Sequence, residues 1–183
     1  HVLRILRKLK PKKSRTPDGH NAVFLKKLSS SIAFPLTLIF NESFCSGTVP
    51  LVWKQALVTP VFKKGLASDP NNYRPISLTC ICCKVMESIV KEQMLQFLLR
   101  TNKITKQQHG FLANHSTCTQ SIECTNDWSL SLNAKSSVDV VHIDFRKAFD
   151  SVVHSKLLFK LESVGICGKL LLWISELLSG RSQ

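Results

Sequence analysis

Residues Val138 to Phe145 (VDVVHIDF) form a β-prone run that ends on a carboxylate. Side chains alternate across a strand, so Val138, Val140, His142 and Asp144 share one face, and Asp139, Val141, Ile143 and Phe145 the other. Such a run predicts a largely buried strand, and a carboxylate at its end is costly to bury unless it is paired or binds a metal. The rest of the chain reads mostly as helix, which makes the expected class α+β, helix-rich.

Val2, Ile5, Leu6 and Leu9 recur at helical spacing with basic residues between them, predicting a short amphipathic basic helix. Pro11 to Gly19 reads as a loop that ends in the turn Pro17-Asp18-Gly19. Helices are expected over 21–28 and 30–44, with Pro35 at a start or a kink. Ala56 to Phe62 is β-prone, and Pro60 pushes it towards a sheet edge, since proline cannot donate to a ladder. Ile76 to Leu78 is the expected return strand. Val85, Met86, Ile89, Val90, Met94, Phe97 and Leu98 make a helical stripe, predicting a core helix over 82–99. Thr117 and Gln120 suggest a capping box opening the next helix. Two more helices are expected around Leu157–Val164 and Leu170–Leu178, with Gly165 and Gly180 at their ends.

Apolar residues make up 44% of the 183, enough for a packed core rather than disorder. The formal charge of +13 favours a polyanionic partner. Residues 1–30 hold nine Lys or Arg against one acid, so they contribute +8, as a binding segment or as a solvated basic arm. The longest apolar run, Ile32 to Phe40, is broken by Pro35 and too short to span a bilayer, so no membrane partner is expected. No signal segment is evident. The seven cysteines therefore read as free thiols of a reducing, intracellular compartment, cytoplasmic and nuclear. Cys80 and Cys83 form a C-x-x-C whose further zinc ligands would have to come from Cys118, Cys124, His109 or His115; buried structural thiols are the simpler reading.

Asp144 is the leading candidate for chemistry. Mg²⁺ prefers oxygen ligands and takes one or two carboxylates plus substrate phosphate, which a strand-end aspartate among basic residues can satisfy. Spacing alone equally allows an ion pair with Arg146 or Lys147. Asp150 could sit across a turn from Asp144 or cap the helix that begins near His154. His142 with Asp144 is a weak metal pair. Lys63-Lys64 and Arg74 flank a polar loop between the two expected hairpin strands, where they would converge on a triphosphate or simply face solvent.

Several motifs, in order, resemble one family. They are V-P-x-x-W-K (Val49, Pro50, Trp53, Lys54), V-F-K-K-G, then NYRPISL at 72–78, Gln108-His109-Gly110-Phe111, I-D-F-x-K-A-F-D-S-V at 143–152, and the closing L-L-S-G-R-S-Q. The set is similar to non-LTR (LINE-type) retrotransposon reverse transcriptases of the jockey-like group and spans almost the whole chain. The resemblance implies a truncated right-hand polymerase. A basic helix and loop would occupy 1–19, the fingers 20–135 and the start of an incomplete palm 136–183. It implies RNA-templated DNA synthesis, with an RNA template, a DNA primer, dNTP substrates and two Mg²⁺ ions in the complete enzyme. Asp144 would be the first catalytic, metal-binding aspartate, with the Phe145 carbonyl a further ligand. Phe149 would be the steric gate against a 2′-hydroxyl, and Lys63 or Lys64 with Arg74 would hold the triphosphate.

The family's adjacent pair of further aspartates lies outside this sequence, as do the rest of the palm and the thumb, so the chain is expected to be a fragment that does not polymerise alone. Thr16 stands where the family has glycine, whose freedom at φ > 0 threonine lacks, and Leu112 and His115 stand where it has arginine, a loss of cations that should weaken nucleic-acid binding. The alternatives are a non-catalytic, basic nucleic-acid-binding remnant of the same fold, and a metal-dependent nuclease built on Asp144, Asp150 and His154.

Overall fold

The computed structural model describes residues 1–11 and 16–183. Lys12, Lys13, Arg15 and that part of the expected Pro11–Gly19 loop lie outside the described residues. Among the described residues, eight helices, one 3-10 turn and a two-stranded sheet follow in the order α1 (Val2–Lys8), α2 (Ala22–Lys27), α3 (Ser29–Ser46), α4 (Leu51–Lys54), β1 (Ala56–Phe62), a 3-10 turn (Pro70–Asn72), β2 (Tyr73–Thr79), α5 (Ile81–Arg100), α6 (Thr117–Asn133), α7 (His154–Ser163) and α8 (Gly168–Leu178). The chain divides into two compact units, one of residues 1–96 with 153–183, the other of residues 97–152.

The first unit holds the core. Val2 and Leu6 of α1, Leu25 of α2, Leu36 and Phe40 of α3, Trp53 of α4, Val85 and Met86 of α5, and Trp173 and Leu177 of α8 are all buried. The basic N-terminal helix is therefore a core element rather than a solvated arm. Its apolar stripe faces inward, while Arg4 on the opposite side reaches Glu92 of α5 at 2.5 Å. Trp173 donates its indole N–H to Ser43 Oγ (3.0 Å), and that hydroxyl donates to the Thr48 carbonyl (2.6 Å). The chain thus satisfies the one polar atom of its largest fully buried side chain. Pro35 lies inside α3, seven residues in, where its missing N–H forgoes one helical bond. Gly47 ends the helix in the left-handed conformation at φ 72°.

Val49, Trp53 and Lys54 of the V-P-x-x-W-K motif are all buried. Trp53 meets Phe40 edge-on, ring centroids 5.7 Å apart. Lys54 Nζ bonds Glu176 of α8 at 2.5 Å, which pairs the charge that burial would otherwise penalise.

β1 and β2 pair antiparallel, and the return strand is longer than expected, starting at Tyr73 rather than Ile76. Pro60 faces Pro75 directly. Lys63 N–H donates to the Asn72 carbonyl, so hydrogen-bonded pairs fall at 63/72 and 61/74, and the two prolines occupy a pair that exchanges no N–H bonds. The same parity turns Ala56 N–H outward, where it donates to the Ser182 carbonyl (2.9 Å).

The turn Thr16–Gly19 closes with Gly19 N–H donating to the Thr16 carbonyl, Gly19 standing at φ 72°. Thr16 is buried, its hydroxyl 2.5 Å from both Asp18 Oδ1 and the His20 carbonyl. Burial raises the Asp18 pKa, but hydrogen bonds from Cys80, Thr16 and backbone N–H groups outweigh it, and the carboxyl sits below its ordinary value. A depressed folded pKa contributes stability above the unfolded value, near ~3.9, that is lost as pH falls through the folded one. Urea titrations between pH 6 and pH 2 should show a smaller acid loss for Asp18→Asn than for the unsubstituted chain; identical slopes would contradict the linkage.

In the second unit the expected strand Val138–Phe145 does not form. The segment has no ladder partner among the described residues, and Val141, Ile143 and Phe145 are strongly exposed. Strand propensity is realised only through pairing, and nothing pairs here. The helix at 117 is capped one residue earlier than expected. Ser116 and Thr119, not Thr117 and Gln120, form the reciprocal box, because Ser116 has the extended backbone a cap requires. Asp150 caps nothing: the N-cap of α7 is Val153. No residue of 97–152 is fully buried.

Candidate active site

The sequence-predicted site residues fall in both units, and each set is described within its own. In the first unit the hairpin presents Lys63, Lys64 and Arg74. Arg74 pairs in register with Val61, and period-two alternation places Lys63 on the same face. Lys63 Nζ turns back to the Asn71 carbonyl (3.2 Å), while Lys64 and Arg74 make no hydrogen bond or ion pair among the described residues. All three are exposed.

The neighbours of Arg74 in the NYRP motif build the loop. Asn72 Nδ2 donates to the Leu66 carbonyl (2.9 Å), and the Tyr73 hydroxyl to the Ala67 carbonyl (2.8 Å). Asp69 caps the 3-10 turn by accepting from Asn71 N–H (2.9 Å). Phe62 and Tyr73 pack across the strands with ring centroids 5.4 Å apart. Gly65 stands at φ 97°, and a Cβ there would meet Asn72 Nδ2 at 2.7 Å, so the glycine of V-F-K-K-G is sterically required. These supports were missed in the sequence, where Asn72 and Tyr73 read only as motif letters.

In the second unit Asp144 and Phe145 lie on the extended segment. Neither the Asp144 carboxylate nor the Phe145 carbonyl accepts a hydrogen bond among the described residues, and Asp144 forms no ion pair with Arg146 or Lys147. Asp144, Asp150 and His142 join no group of three potential metal ligands. Lys147 adopts a left-handed φ of 52° in the turn that carries the chain to Phe149. Phe149 meets Phe111 edge-on, centroids 6.0 Å apart at 83°. The Q-H-G-F motif thereby touches the second half of I-D-F-x-K-A-F-D, a contact spacing could not reveal. His109 ties the same motif to α6, with Nε2 2.6 Å from Glu123 Oε2 and Nδ1 3.0 Å from Thr119 Oγ1. His115 packs edge-on against His109 of the motif, ring centroids 5.0 Å apart.

The donor types fit a hard cation: a free carboxylate and a free carbonyl on consecutive residues. The donor number is small, so most of the coordination sphere would be water, substrate phosphate or further ligands. No helix among the described residues is long and apolar enough to cross a membrane.

Comparison with known proteins agrees with the motif order. Residues 61–183 match the family described as Reverse transcriptase (RNA-dependent DNA polymerase). The chain is 31% identical over 160 residues to the RNA-directed DNA polymerase from mobile element jockey of Drosophila melanogaster, covering 87% of this chain and 18% of that protein. It is 28% identical over 164 residues to the probable RNA-directed DNA polymerase from transposon BS of Drosophila melanogaster, covering 89% and 18%. A retrovirus-related Pol polyprotein from type-1 retrotransposable element R2 of Popillia japonica is 27% identical over 120 residues, covering 66% and 16%. The chain thus spans less than a fifth of the length of these curated relatives.

Proposed function

The chain belongs to the reverse transcriptase family of non-LTR retrotransposons, and from that premise we propose that it supplies the nucleotide-gripping hairpin and the first metal-binding aspartate of an RNA-directed DNA polymerase. The observation that carries the reading is the match over residues 61–183, which contains the hairpin cations and the Asp144 segment together. The proposed parts are the basic helix and loop at 1–19, the fingers at 20–135 and the start of the palm at 136–183.

In this reading Arg74 and Lys64, which make no hydrogen bond or ion pair among the described residues, bind the triphosphate oxygens, with Lys63 held beside them by the loop. Arg74 presents a planar fork and Lys64 a point charge, so the former orients and the latter attracts. Phe149, braced on Phe111, lies along the deoxyribose and excludes a 2′-hydroxyl. Asp144 and the Phe145 carbonyl hold a Mg²⁺ ion. That ion would neutralise phosphate charge and acidify an attacking hydroxyl. A two-metal site needs several converging carboxylates, and among the described residues Asp144 has no acidic companion in such a group. The isolated chain therefore binds primer-template without extending it. RNA template and DNA primer are the proposed macromolecular partners, with the cytoplasm and nucleus as the place of action.

Solution measurements test this. RNA or primer-template should bind with a steep salt dependence, and salt-independent binding would contradict a polyanionic partner. Exchanging Lys63, Lys64 and Arg74 for alanine should weaken dNTP binding by about tenfold or more, since charge-assisted contacts to phosphate are worth roughly 1.5 kcal/mol or more each. An unchanged dNTP affinity would remove the hairpin from the nucleotide site. Primer extension by the isolated chain would show that the aspartate needs no further carboxylates. The competing reading, a binding remnant without chemistry, predicts the same salt slope but no Mn²⁺ relaxation signal dependent on Asp144.

A further inference from the structure

We propose that Asp18, Cys80 and Cys82 form a binding site for a thiophilic divalent cation, Zn²⁺ in the first place, separate from the nucleotide site. Their ligand atoms all lie within 4.8 Å of one another. Around a tetrahedral zinc with sulfur at about 2.3 Å and oxygen at about 2.0 Å, ligand atoms stand roughly 3.5 to 3.8 Å apart. The present geometry lies close to that. Cys80 Sγ is 2.9 Å from Asp18 Oδ2 and would have to open by about half an ångström.

Two features make this more than a coincidence of side chains. The carboxylate is already aimed: Oδ1 is held by the Thr16 hydroxyl and by His20 N–H (3.4 Å), which leaves Oδ2 facing the thiols. Outer contacts of this kind orient metal ligands. Cys80 and Cys82 sit at the start of α5, a 20-residue helix, where the positive end of the helix favours thiolate. Cys82 is half-buried and reachable, while Cys80 is 1% exposed.

The ligand set differs from the C-x-x-C expected from spacing. Cys83 is not a member. It is fully buried against Glu87, where burial first and that carboxylate's charge second push its thiol up to about 12. Consecutive residues of a helix point about 100° apart, so the adjacent thiols Cys82 and Cys83 take different roles. Cys118, Cys124, His109 and His115 are not members either. Two thiolates and a carboxylate give the bound ion three protein ligands and leave a fourth position for water. Binding displaces the two thiol protons. It also clips the turn at residue 18 to the β2–α5 junction 62 residues away, closing a long loop.

The test uses the whole chain with Cys45, Cys118, Cys124 and Cys167 replaced by serine, which removes the other accessible thiols. Zn²⁺ is titrated by calorimetry in two buffers, and Co²⁺ by its thiolate charge-transfer and tetrahedral d–d absorption. The expected result is one equivalent bound with proton release, and a melting temperature raised by roughly 5 to 10 °C at a hundredfold excess over Kd. Cys82→Ser and Asp18→Asn, checked for native helicity by circular dichroism, should each weaken binding at least tenfold, and Cys83→Ser should not. No binding, binding undisturbed by Cys82→Ser and Asp18→Asn, or loss with a folded Cys83→Ser variant would each overturn the site. None of these outcomes depends on the polymerase reading.

Discussion

Trp173→Ala should cost the first unit about 3 to 5 kcal/mol, the range for removing a large aromatic side chain from a packed interior. Trp173 is 1% exposed and joins α8 to α3 through its bond to Ser43, itself bonded to the Thr48 carbonyl that follows α3. Truncation leaves a cavity and takes away the indole donor together. Total stabilities of 5 to 15 kcal/mol are usual, so the variant should be partly unfolded at room temperature. Trp173→Phe separates the two effects: it keeps most of the apolar area and loses only the bond to Ser43, at roughly 1 kcal/mol. Urea midpoints for the three proteins check this. A Trp173→Ala loss below 1 kcal/mol would mean that α8 does not pack as described.

Much of the first unit was legible in the sequence because its signals are local. The α1 stripe of Val2 and Leu6, the long α5 stripe, and the prolines and glycines around the hairpin each encode their own periodicity or turn. Lys54 shows the limit. Its burial and its bond to Glu176 span 122 residues, and no spacing rule reaches that far. Ser116 displaced Thr117 as the cap because caps depend on backbone angle, which composition does not reveal. The largest miss, Val138–Phe145, has a physical origin. Alternation and β-branching describe a face that wants cover, and a strand exists only when another backbone takes its N–H and C=O groups. Within 97–152 Val140, Val141, Ile143 and Phe145 of this segment stay exposed, so propensity has nothing to act on. For the site, motif order identified the family, but the contacts that brace the motifs (Phe111 on Phe149, His109 on Glu123, Asn72 on Leu66) came only from the structure.

The segment that failed to pair also holds Asp144, on which the proposed chemistry rests. In a full-length polymerase of this family carrying residues 61–183 of this chain, Asp144→Asn should reduce primer extension about a thousandfold or more. The amide keeps the shape and removes the negative charge, and a metal ion's stabilisation of transition-state charge is worth several kcal/mol, with roughly 4 kcal/mol corresponding to three orders of magnitude. Primer-template affinity should change less than about threefold, because an acidic residue adds nothing to phosphate contacts. Asp150→Asn is the matched control: it removes the same charge six residues on, from a side chain that does not cap α7, and should stay within about tenfold of the parent. The two variants separate a metal ligand from a general effect of charge. Equal losses for both would point to electrostatics of the whole turn, and an active Asp144→Asn polymerase would overturn the metal-ligand role proposed for Asp144.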